Sequence, residues 1–447
     1  MTSKSHSLRA VRRAALVLPL VLLCGCSAAL PKGGDPQDSQ QQLDLIHQVM
    51  QTVEQNYVHP VSGEQLTTNA LKGMLGRLDP HSDYMDAQEY SEMKSQTRGR
   101  FGGLGIELTD ENGLPKVIAP IEGTPAARAG IQPGDLITRI DGHPTDGMGF
   151  MTVVETLRGA PGTEVTITVV RNGHAPFDVP LTRSIIHVAS VTSALEANSV
   201  GYARISSFTE ETGAEMTHAI AALKRQSGDR LNGFILDLRN DPGGLLSSAV
   251  DVAGDFLNGG AIVTIRGREN GENQVFTAPS NGDIIPGVPM VVLVNDASAS
   301  ASEIVAGALQ DRHRATIMGT RSFGKGSVQT IIPVGDGAIR LTTALYYTPS
   351  GRSIQGYGIA PDIAVGLPAD EQVTGAVLTR ESDLNGALAN GGSLAKGGLS
   401  PASSQQQPPA YSYPIKLSLI GTKRDAQLAA ALAYLEKAES KLGPPPG

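Results

Sequence analysis

Three serines at alternate positions, Ser298, Ser300 and Ser302, follow the apolar run 291–294 and precede a helical pattern. The apolar run is typical of a buried strand, so the cluster is predicted to lie at a strand-to-helix junction. There a side chain can be exposed, and the N–H groups of the helix terminus are free. Further along, Lys325 stands between two glycines, and Gln329 follows four residues later. Because a hydroxyl needs a neighbouring base to become a good nucleophile, we consider a serine nucleophile with a lysine base.

The same cluster has a simpler interpretation. Ser300 and Glu303 match the S-x-x-E capping box, and lysines near glycines are usually solvated. As a base, Lys325 must lose its proton near pH 7, although the pKa of a free lysine is about 10.4 and only burial brings it to about 7–8. Gln329 would orient Lys325 without adding a negative charge that raises its pKa. If both lie on one strand, their spacing puts them on the same face.

Backbone N–H groups are the expected oxyanion hole. Ala301 follows the candidate nucleophile directly, as in a nucleophile elbow. Gly243 or Gly244, in the turn after the apolar run 233–238, would supply the second donor, because a backbone without side chains lets a carbonyl approach closely. The same glycines would also suit a plain helix-entry turn.

A Ser-His-Asp triad is the main catalytic alternative. His81, in a D-P-H-S turn, and His313, at a helix end where a cation suits the dipole, are the histidines nearest recognisable motifs, and both have structural explanations. Neither an HExxH pattern nor a P-loop occurs in the sequence, so no metal and no cofactor is predicted.

A glycine loop, Gly103-Leu104-Gly105-Ile106, runs into a strand pattern, and the run A-G-I-Q-P-G-D follows at 129–135. Together they resemble a PDZ domain of the circularly permuted bacterial type, over residues 98–186. In such a domain an extended peptide adds as a strand, and loop N–H groups hold its terminal carboxylate. The four loop residues are therefore the predicted peptide-binding site.

Strand–turn–helix units alternate from Val200 onward, which indicates an α/β core with sites at the strand ends. The pattern from Arg340 to Tyr347 is expected to complete its sheet. Two amphipathic helical patterns precede the PDZ-like segment, and a last one, with Leu428, Leu432 and Leu435, follows a stretch rich in Gly, Ser, Gln and Pro.

The N-terminus has the charges and the short apolar run of an export signal. Leu23-Cys24-Gly25-Cys26 resembles a bacterial lipobox, with Cys26 lipidated; Ser27 then favours the outer membrane. The alternative is cleavage near Ala28 or Ala29 that releases a soluble periplasmic protein. Both cysteines of the chain lie here, so the rest has no disulfides. The net charge of −8 argues against nucleic acid as a partner.

Several short blocks resemble the carboxy-terminal processing (tail-specific) serine peptidase family, over roughly residues 40–390. They are 78–82 (LDPHS), 101–105 (FGGLG), 237–244 (DLRNDPGG), 295–303 (NDASASASE), 323–329 (FGKGSVQ) and 358–362 (GIAPD). The resemblance implies Ser300 as nucleophile, Lys325 as base and Gln329 as the assisting residue. It also implies a ClpP/crotonase-like α/β core with an inserted PDZ domain, a helical N-terminal segment and a C-terminal helix. Envelope protein processing or turnover, homo-oligomers formed through the terminal helices and a lipoprotein adaptor are further implications.

The expected organisation is a lipoprotein signal peptide (1–25), a tether and helical region (26–97), a PDZ domain (98–186), and a peptidase core (187–366) that includes part of the N-terminal region. A flexible linker with a C-terminal helix (367–447) follows. The expected function is that of an exported serine endopeptidase in the cell envelope that recognises the C-terminal regions of protein substrates. The alternative is a non-catalytic PDZ scaffold with a degenerate core, which is disfavoured because Ser300, Lys325 and Gln329 are all present.

Overall fold

The structure, a computed structural model, describes residues 36–111, 113–268, 273–373, 380–390 and 415–442. It divides into two compact units, Met1–Thr67 and Thr68–Gly447. The predicted export signal and Cys26 lie outside the described residues. Within the described ranges, no helix combines the length and the apolar character needed to cross a membrane.

The two helices predicted at the N-terminus are present as α1 (Pro36–Asn56) and α2 (Gly63–Leu75). Leu43, Leu45, Ile46 and Val49 of α1 are exposed. The connection between them, residues 57–62, contains His59-Pro60, where the pyrrolidine ring disfavours a helical conformation of the preceding residue.

The strand β1 (Asp83–Met85) and the helix α3 (Ala87–Arg98) precede a small β domain at residues 100–187. The elements of this domain are β2 (Arg100–Gly103), β3 (Ile106–Glu111), β4 (Leu114–Pro120), α4 (Pro125–Arg128), β5 (Leu136–Ile140), β6 (His143–Pro144), α5 (Phe150–Leu157), β7 (Glu164–Val170), β8 (Phe177–Thr182) and β9 (Ser184–His187). The sheet has the order β3–β4–β5–β7–β8, with β6 paired to β5. Alternate residues of β7, Val165, Ile167 and Val169, are buried in its core, as the two-residue period of a strand requires. A ribbon of β2 and β9 joins the entry and exit of the domain.

The larger domain follows in the chain. Its elements are β10 (Val191–Glu196), β11 (Val200–Ile205), α6 (Thr212–Gln226), β12 (Gly233–Asp237), α7 (Leu246–Gly254), β13 (Ala261–Gly267), β14 (Gln274–Thr277), β15 (Met290–Val294), α8 (Ala301–Asp311), β16 (Thr316–Gly319), β17 (Ser327–Val334), β18 (Gly337–Tyr347), β19 (Ile363–Ala364) and α9 (Ala426–Leu442). The main sheet has the order β10–β11–β12–β15–β16–β19, and only β10 and β11 pair antiparallel.

Helices cover both faces of this sheet, which explains why every residue of β12 and β15 is buried. Phe234 and Leu236 of β12 face the cluster formed with α6, α7 and α8. Ile235, on the opposite face, packs with Leu428 and Leu435 of α9. Burial of each of these leucines stabilises the fold by about 1.5–3 kcal/mol.

A second, antiparallel sheet has the order β1–β18–β13–β14, with β17 also paired to β18. The expectation that Arg340–Tyr347 completes the main sheet is therefore wrong. Most residues of β18 are only partly buried. One of its edges pairs with β1, whose sequence lies more than 250 residues earlier. This long-range pairing cannot be read from local patterning.

The segment after the main sheet is bound to the core through buried polar side chains. Glu381, in the stretch expected to be flexible, is fully buried, and its carboxylate binds His81 and Gln355, each at 2.8 Å. The start of α9 then binds the end of β12. The buried Arg239 guanidinium donates to Asp237 at 2.9 and 2.5 Å and to Asp425 at 2.8 and 2.6 Å. The last predicted helix thus docks on its own chain.

Candidate active site

Ser300 lies where the sequence predicts, in the turn between β15 and α8. Its backbone has φ 57° and ψ −111°, a region that residues with a side chain rarely adopt and that costs on the order of 1–3 kcal/mol. A sharp strand-to-helix turn of this kind is the arrangement of a nucleophile elbow. The turn therefore holds Ser300 in a strained conformation that the surrounding structure must stabilise.

The three serines of the cluster differ in exposure and in hydrogen bonds. Ser298 and Ser302 are fully buried, and their hydroxyls donate to the carbonyls of Leu238 (2.7 Å) and Asp241 (3.1 Å). Ser300 alone is partly exposed. Ser298 and Ser302 therefore fix the loop, and Ser300 is the one that a substrate can reach.

The fully buried Glu303 connects Ser300 to Lys325. Its carboxylate accepts from the N–H groups of Ser300 and Lys325, both at 2.9 Å. It also accepts from the N–H of Gly324 at 2.7 Å and from the hydroxyl of Ser322 at 2.5 Å. Burial raises the pKa of Glu303 to about 7, although these four donors oppose the shift. Only the ionised carboxylate can accept from all four.

Tyr346 of β18 makes a second connection between the same two residues. Its hydroxyl lies 3.1 Å from the carbonyl oxygen of Ser300 and within hydrogen-bond distance of the carbonyl oxygen of Lys325. The backbones of Ser300 and Lys325 are thus connected twice, by the Glu303 carboxylate as acceptor and by the Tyr346 hydroxyl as donor.

Lys325 is partly buried in the loop before β17. Burial lowers the pKa of its ammonium group, and the positive charge of Arg340 lowers it further. The carboxylates of Glu381, Glu303 and Asp79 act in the opposite direction without reversing the shift. The direction is the one that a lysine base requires.

Gln329 lies on β17, but Lys325 does not, because the strand begins at Ser327. A β-bulge also falls between Val328 and Gln329. The premise that Lys325 and Gln329 share one strand face is therefore wrong. The Gln329 amide donates from Nε2 to the hydroxyls of Ser327 (3.0 Å) and Thr342 (3.1 Å). These two bonds leave the Oε1 oxygen as the atom that can accept from Lys325.

The glycine turn after β12 packs directly against the serine loop. The carbonyl of Asp241 accepts from the N–H of Ala299 at 3.0 Å. Gly243 has φ 97°, and a Cβ there would lie 2.6 Å from the carbonyl oxygen of Ala299 and 2.8 Å from the nitrogen of Ala301. Only glycine fits so close to the candidate nucleophile.

The Asp241 side chain occupies one of the candidate oxyanion donors. Its Oδ1 accepts from the N–H of Gly243 at 2.8 Å. Burial raises the pKa of Asp241 to about 8, against the effect of that bond. Its buried Oδ2 has no hydrogen-bond partner among the residues that the structure describes. The predicted oxyanion donors are the N–H groups of Ala301, Gly243 and Gly244. That of Gly243 is thus already engaged in a hydrogen bond to Asp241.

The predicted peptide-binding loop of the small domain lines a groove. The cavity has a volume of about 190 Å³, and residues 103–106 form one wall opposite Phe150, Val154 and Leu157 of α5. A larger cavity of about 680 Å³ adjoins Gly243 and Gly244. Phe101 and Arg158 line both cavities, with the guanidinium carbon 4.7 Å from the ring centroid. The groove of residues 103–106 and the glycine turn beside Ser300 therefore border two cavities that share Phe101 and Arg158.

The structure places one of the two histidines considered as bases in a side-chain pair and the other in a turn that ends a helix. The ring of His81 pairs with Glu381 at 2.8 Å, and His313 adopts φ 52° just after α8. Among the described residues there is no group of three or more His, Cys, Asp or Glu side chains that could hold a metal ion.

Sequence reasoning assigned Glu303 only to helix capping and missed its contact with Lys325. The S-x-x-E spacing was the available signal, but capping explains it fully. Tyr346 and Thr342 gave no signal, because nothing in a strand pattern shows which residue of the neighbouring strand lies opposite. Asp79 was visible as part of the LDPHS block, without a role.

Three family models match the sequence: peptidase family S41 at residues 199–365, a PDZ domain at 116–171, and the activating protease CtpB N-terminal domain at 26–89. A PDZ domain beside a strained, accessible serine in an S41 core defines a serine-type peptidase that binds peptide or protein substrates. The carboxy-terminal-processing protease of Bartonella bacilliformis is 49% identical over 354 residues, which are 78% of this chain and 81% of that protein. The carboxy-terminal processing protease CtpA of Bacillus subtilis is 34% identical, over 73% and 69% of the two chains.

The chain therefore belongs to the carboxy-terminal-processing proteases of peptidase family S41. Among solved structures, the photosystem II D1 C-terminal processing protease is 30% identical, covers 73% of this chain and 93% of its own, and superposes with a TM-score of 0.42. The predicted family is confirmed by the family models and the Bartonella relative, and so is the fold class, a mixed α/β peptidase with a PDZ domain, a helical N-terminal segment and a C-terminal helix.

Proposed function

We propose that this chain is a serine endopeptidase in which Ser300 attacks the scissile carbonyl and Lys325 accepts its proton. The observation that carries the proposal is the shared Glu303 carboxylate, which binds the N–H groups of both residues at 2.9 Å. The lowered pKa of Lys325 supports it, because a neutral amine is needed to take a proton from a hydroxyl. Gln329 orients Lys325 through its Oε1 oxygen and adds no charge.

In the first step, Ser300 Oγ forms a bond to the carbonyl carbon, and its proton moves to Lys325 Nζ. The oxygen of the tetrahedral intermediate carries the negative charge. We assign its stabilisation to the N–H groups of Ala301 and Gly244, since the Gly243 N–H already donates to Asp241. The role of Gly243 is instead to leave room, because a side chain there would contact the backbone of Ala299 and Ala301.

Collapse of the intermediate breaks the peptide bond. The ammonium group of Lys325 gives its proton to the leaving amine, and an acyl-enzyme on Ser300 remains. The neutral lysine then takes a proton from water as the water attacks the ester. Collapse of this second tetrahedral intermediate breaks the bond between the carbonyl carbon and Ser300 Oγ, and the ammonium group of Lys325 returns its proton to that oxygen. Ser300 and neutral Lys325 are thereby restored, and the new C-terminal acid leaves.

The substrates are proteins whose C-terminal residues bind in the groove of residues 103–106. Gly103 ends β2, Leu104 and Gly105 connect the two strands, and Ile106 begins β3. An added peptide strand would therefore lie beside β3 with its carboxylate at the loop. The two cavities share Phe101 and Arg158, which supports delivery of the bound chain toward Ser300.

We further propose export to the cell envelope, with lipidation at Cys26 and attachment to the outer membrane, where the enzyme processes or degrades envelope proteins. Self-association into homo-oligomers and a lipoprotein adaptor belong to the same proposal. Labelling of cells with a radioactive fatty acid tests the anchor: wild type should be labelled, and Cys26→Ser should not. Equal labelling would exclude Cys26.

Cleavage of a peptide with a free C-terminus by the purified protein tests the chemistry. Ser300→Ala and Lys325→Ala should each lower kcat at least about 10³-fold, with circular dichroism spectra like that of wild type. Full activity of Ser300→Ala would exclude the nucleophile, and turnover by Lys325→Ala would point to another base. If wild type itself cleaves nothing but binds the peptide, the chain is a binding scaffold.

A further inference from the structure

Asp79 is a buried carboxylate to which the reaction gives no role. It lies in the turn of residues 78–82, just after α2, and is 5% exposed. Its Oδ1 accepts from the N–H groups of His81 (2.8 Å) and Ser82 (2.9 Å), and its Oδ2 accepts from the hydroxyl of Ser82 at 2.6 Å. These bonds explain the fold of the turn. One further hydrogen bond joins Asp79 to a residue outside the turn, on the side of the active site.

That bond comes from Thr342 on β18, whose hydroxyl donates to Asp79 Oδ1 at 3.0 Å. Burial disfavours the charged form of Asp79, but the hydrogen bonds from Ser82, His81 and Thr342 outweigh it, and the pKa of Asp79 is lowered. An ionised carboxylate only accepts hydrogen bonds. The single proton of the Thr342 hydroxyl must therefore point to Asp79.

The direction of this bond decides how Gln329 is oriented. Because the Thr342 proton is committed, its oxygen can only accept, and it accepts from Gln329 Nε2 at 3.1 Å. With the side-chain amide reversed, the Oε1 oxygen would face the Thr342 oxygen with no proton between them. The nitrogen end of the amide is thus fixed on the β18 side, and the oxygen end is left for Lys325.

The backbone holds this arrangement in place. Gln329 and Thr342 are directly opposite each other in the register of β17 and β18, immediately after the bulge. The N–H of Thr342 donates to the hydroxyl of Ser82 at 3.0 Å, and β1 pairs with β18 two residues away. The turn that carries Asp79 is therefore fastened to the strand that carries Thr342.

We propose that Thr342, with its hydroxyl oriented by Asp79, is a positioning residue that fixes the amide of Gln329 with its oxygen toward Lys325. The inference rests on the proposed function, since it requires Lys325 as the base. It gives the LDPHS block a place in the reaction: the block sets the direction of a hydrogen-bond chain from Asp79 through Thr342 and Gln329 to Lys325.

Thr342→Val tests the proposal, because valine keeps the shape and removes only the hydroxyl. We expect kcat to fall between about 10- and 100-fold with KM within about twofold, since misorientation of a group at the reacting centre is costly and peptide binding is untouched. Thr342→Ser keeps the hydroxyl and should recover at least half of the wild-type kcat. Thr343→Val is the matched control, since Thr343 bonds the hydroxyl of Thr330 at 2.6 Å and not Gln329; it should leave kcat within twofold.

A double-mutant cycle with Gln329→Ala separates positioning from general destabilisation. If Thr342 acts through Gln329, Thr342→Val should lower kcat less than about twofold in the Gln329→Ala background. An equal loss in both backgrounds would overturn the proposal. The rate at which a fluorophosphonate labels Ser300 should follow the same pattern without a bound peptide, and thermal unfolding monitors the fold. Thr342→Ala replaces the valine variant if that variant is unstable.

These variants distinguish a failure of the positioning role of Thr342 from a failure of the proposed function. If Ser300→Ala and Lys325→Ala are inactive while Thr342→Val matches wild type, the positioning role fails and the proposed function stands. If Lys325→Ala or Gln329→Ala retains wild-type activity, the proposed function fails, and the positioning role fails with it.

Discussion

Replacing Asp425 by asparagine removes one of the two negative charges that face the buried Arg239 guanidinium. The side chains of Arg239, Asp237 and Asp425 lie within a single hydrogen-bonded group, and Arg239 is fully buried. Asparagine can accept one of the two bonds that Asp425 now receives at 2.8 and 2.6 Å, but its NH₂ group would face a donor in the other. The variant therefore tests the ion pair with almost no change of volume.

The expected loss follows from what Arg239 keeps. Removing one partner of a buried ion pair typically costs about 3–5 kcal/mol. Arg239 retains Asp237, with bonds at 2.9 and 2.5 Å, so the free energy of unfolding should fall by about 3 kcal/mol, at the lower end of that range. Asp425 also accepts from the N–H of Leu428 at 3.0 Å near the start of α9, but asparagine caps helices as well as aspartate, so this bond adds little.

Urea unfolding at pH 7, followed by circular dichroism, measures the change. Asp370→Asn is the control: Asp370 pairs with Arg424 at 3.5 Å, both side chains are about 70% exposed, and the cost should be below about 1 kcal/mol. A loss below 1 kcal/mol for Asp425→Asn, or one no larger than that of the control, would refute the reasoning.

The pH dependence of this difference has a definite sign. Burial acts against the charged form of Asp425, but the hydrogen bond and the charge of Arg239 outweigh it, and the pKa of Asp425 is lowered. A carboxyl whose pKa is lowered by folding adds stability above its unfolded pKa and loses it as the pH falls through the folded value. The advantage of wild type over Asp425→Asn should therefore be full at pH 7 and shrink below about pH 4.

Three further results are expected. Stability and activity should change in opposite directions as Glu303 ionises. Because its pKa is raised, its contribution to stability is largest below pH 4.5 and is lost as the pH rises to about 7, whereas activity rises over the same range as the carboxylate gains its four donors. Glu303→Gln should lower kcat at least about 100-fold, and pH-independent activity from pH 5 to 8 would contradict this role. Gly243→Ala should lower kcat at least about 100-fold through contact with Ala299 and Ala301, whereas Gly173→Ala, also at positive φ but with open space around it, should leave kcat unchanged; equal kinetics of the two variants would exclude the close approach. A peptide substrate with an amidated C-terminus should show about a 10-fold lower kcat/KM than the free acid, and equal values would count against carboxylate recognition by the loop at residues 103–106.

Local patterns predicted the parts of the fold that local physics controls. The buried strands β12 and β15 stood out because both faces of each are covered, and α8 because its apolar residues recur on one side. That β18 belongs to a second sheet could not be predicted from local patterns, since its partner β1 is far away in sequence. Strand order depends on such long-range pairing, and propensity does not encode it.

Residues of the candidate site could be predicted where the chemistry requires a particular residue type. Residues that act only through contact with a neighbour could not be predicted. Ser300 and Lys325 could be selected from residue type, spacing and family resemblance. The role of Glu303 could not, because the capping box accounts for the same two residues. The geometry of Gln329 was predicted from an unbroken strand, and a bulge, which leaves no reliable mark in one sequence, altered it.

The contact between β12 and the last helix also imposes an order on the formation of the enzyme. Arg239 stands 186 residues before Asp425, and Asn240, at the start of the glycine turn, donates to the carbonyl of Ile415, 175 residues later, at 2.7 Å. Contacts this distant in sequence form slowly, because closing so long a loop costs conformational entropy before the contacts are made. During synthesis or export, the turn beside Ser300 therefore cannot acquire these contacts until residues 415–425 have emerged. An incomplete chain is expected to carry Ser300 without the support of a finished glycine turn, and thus to remain inactive until residues 415–425 are in place.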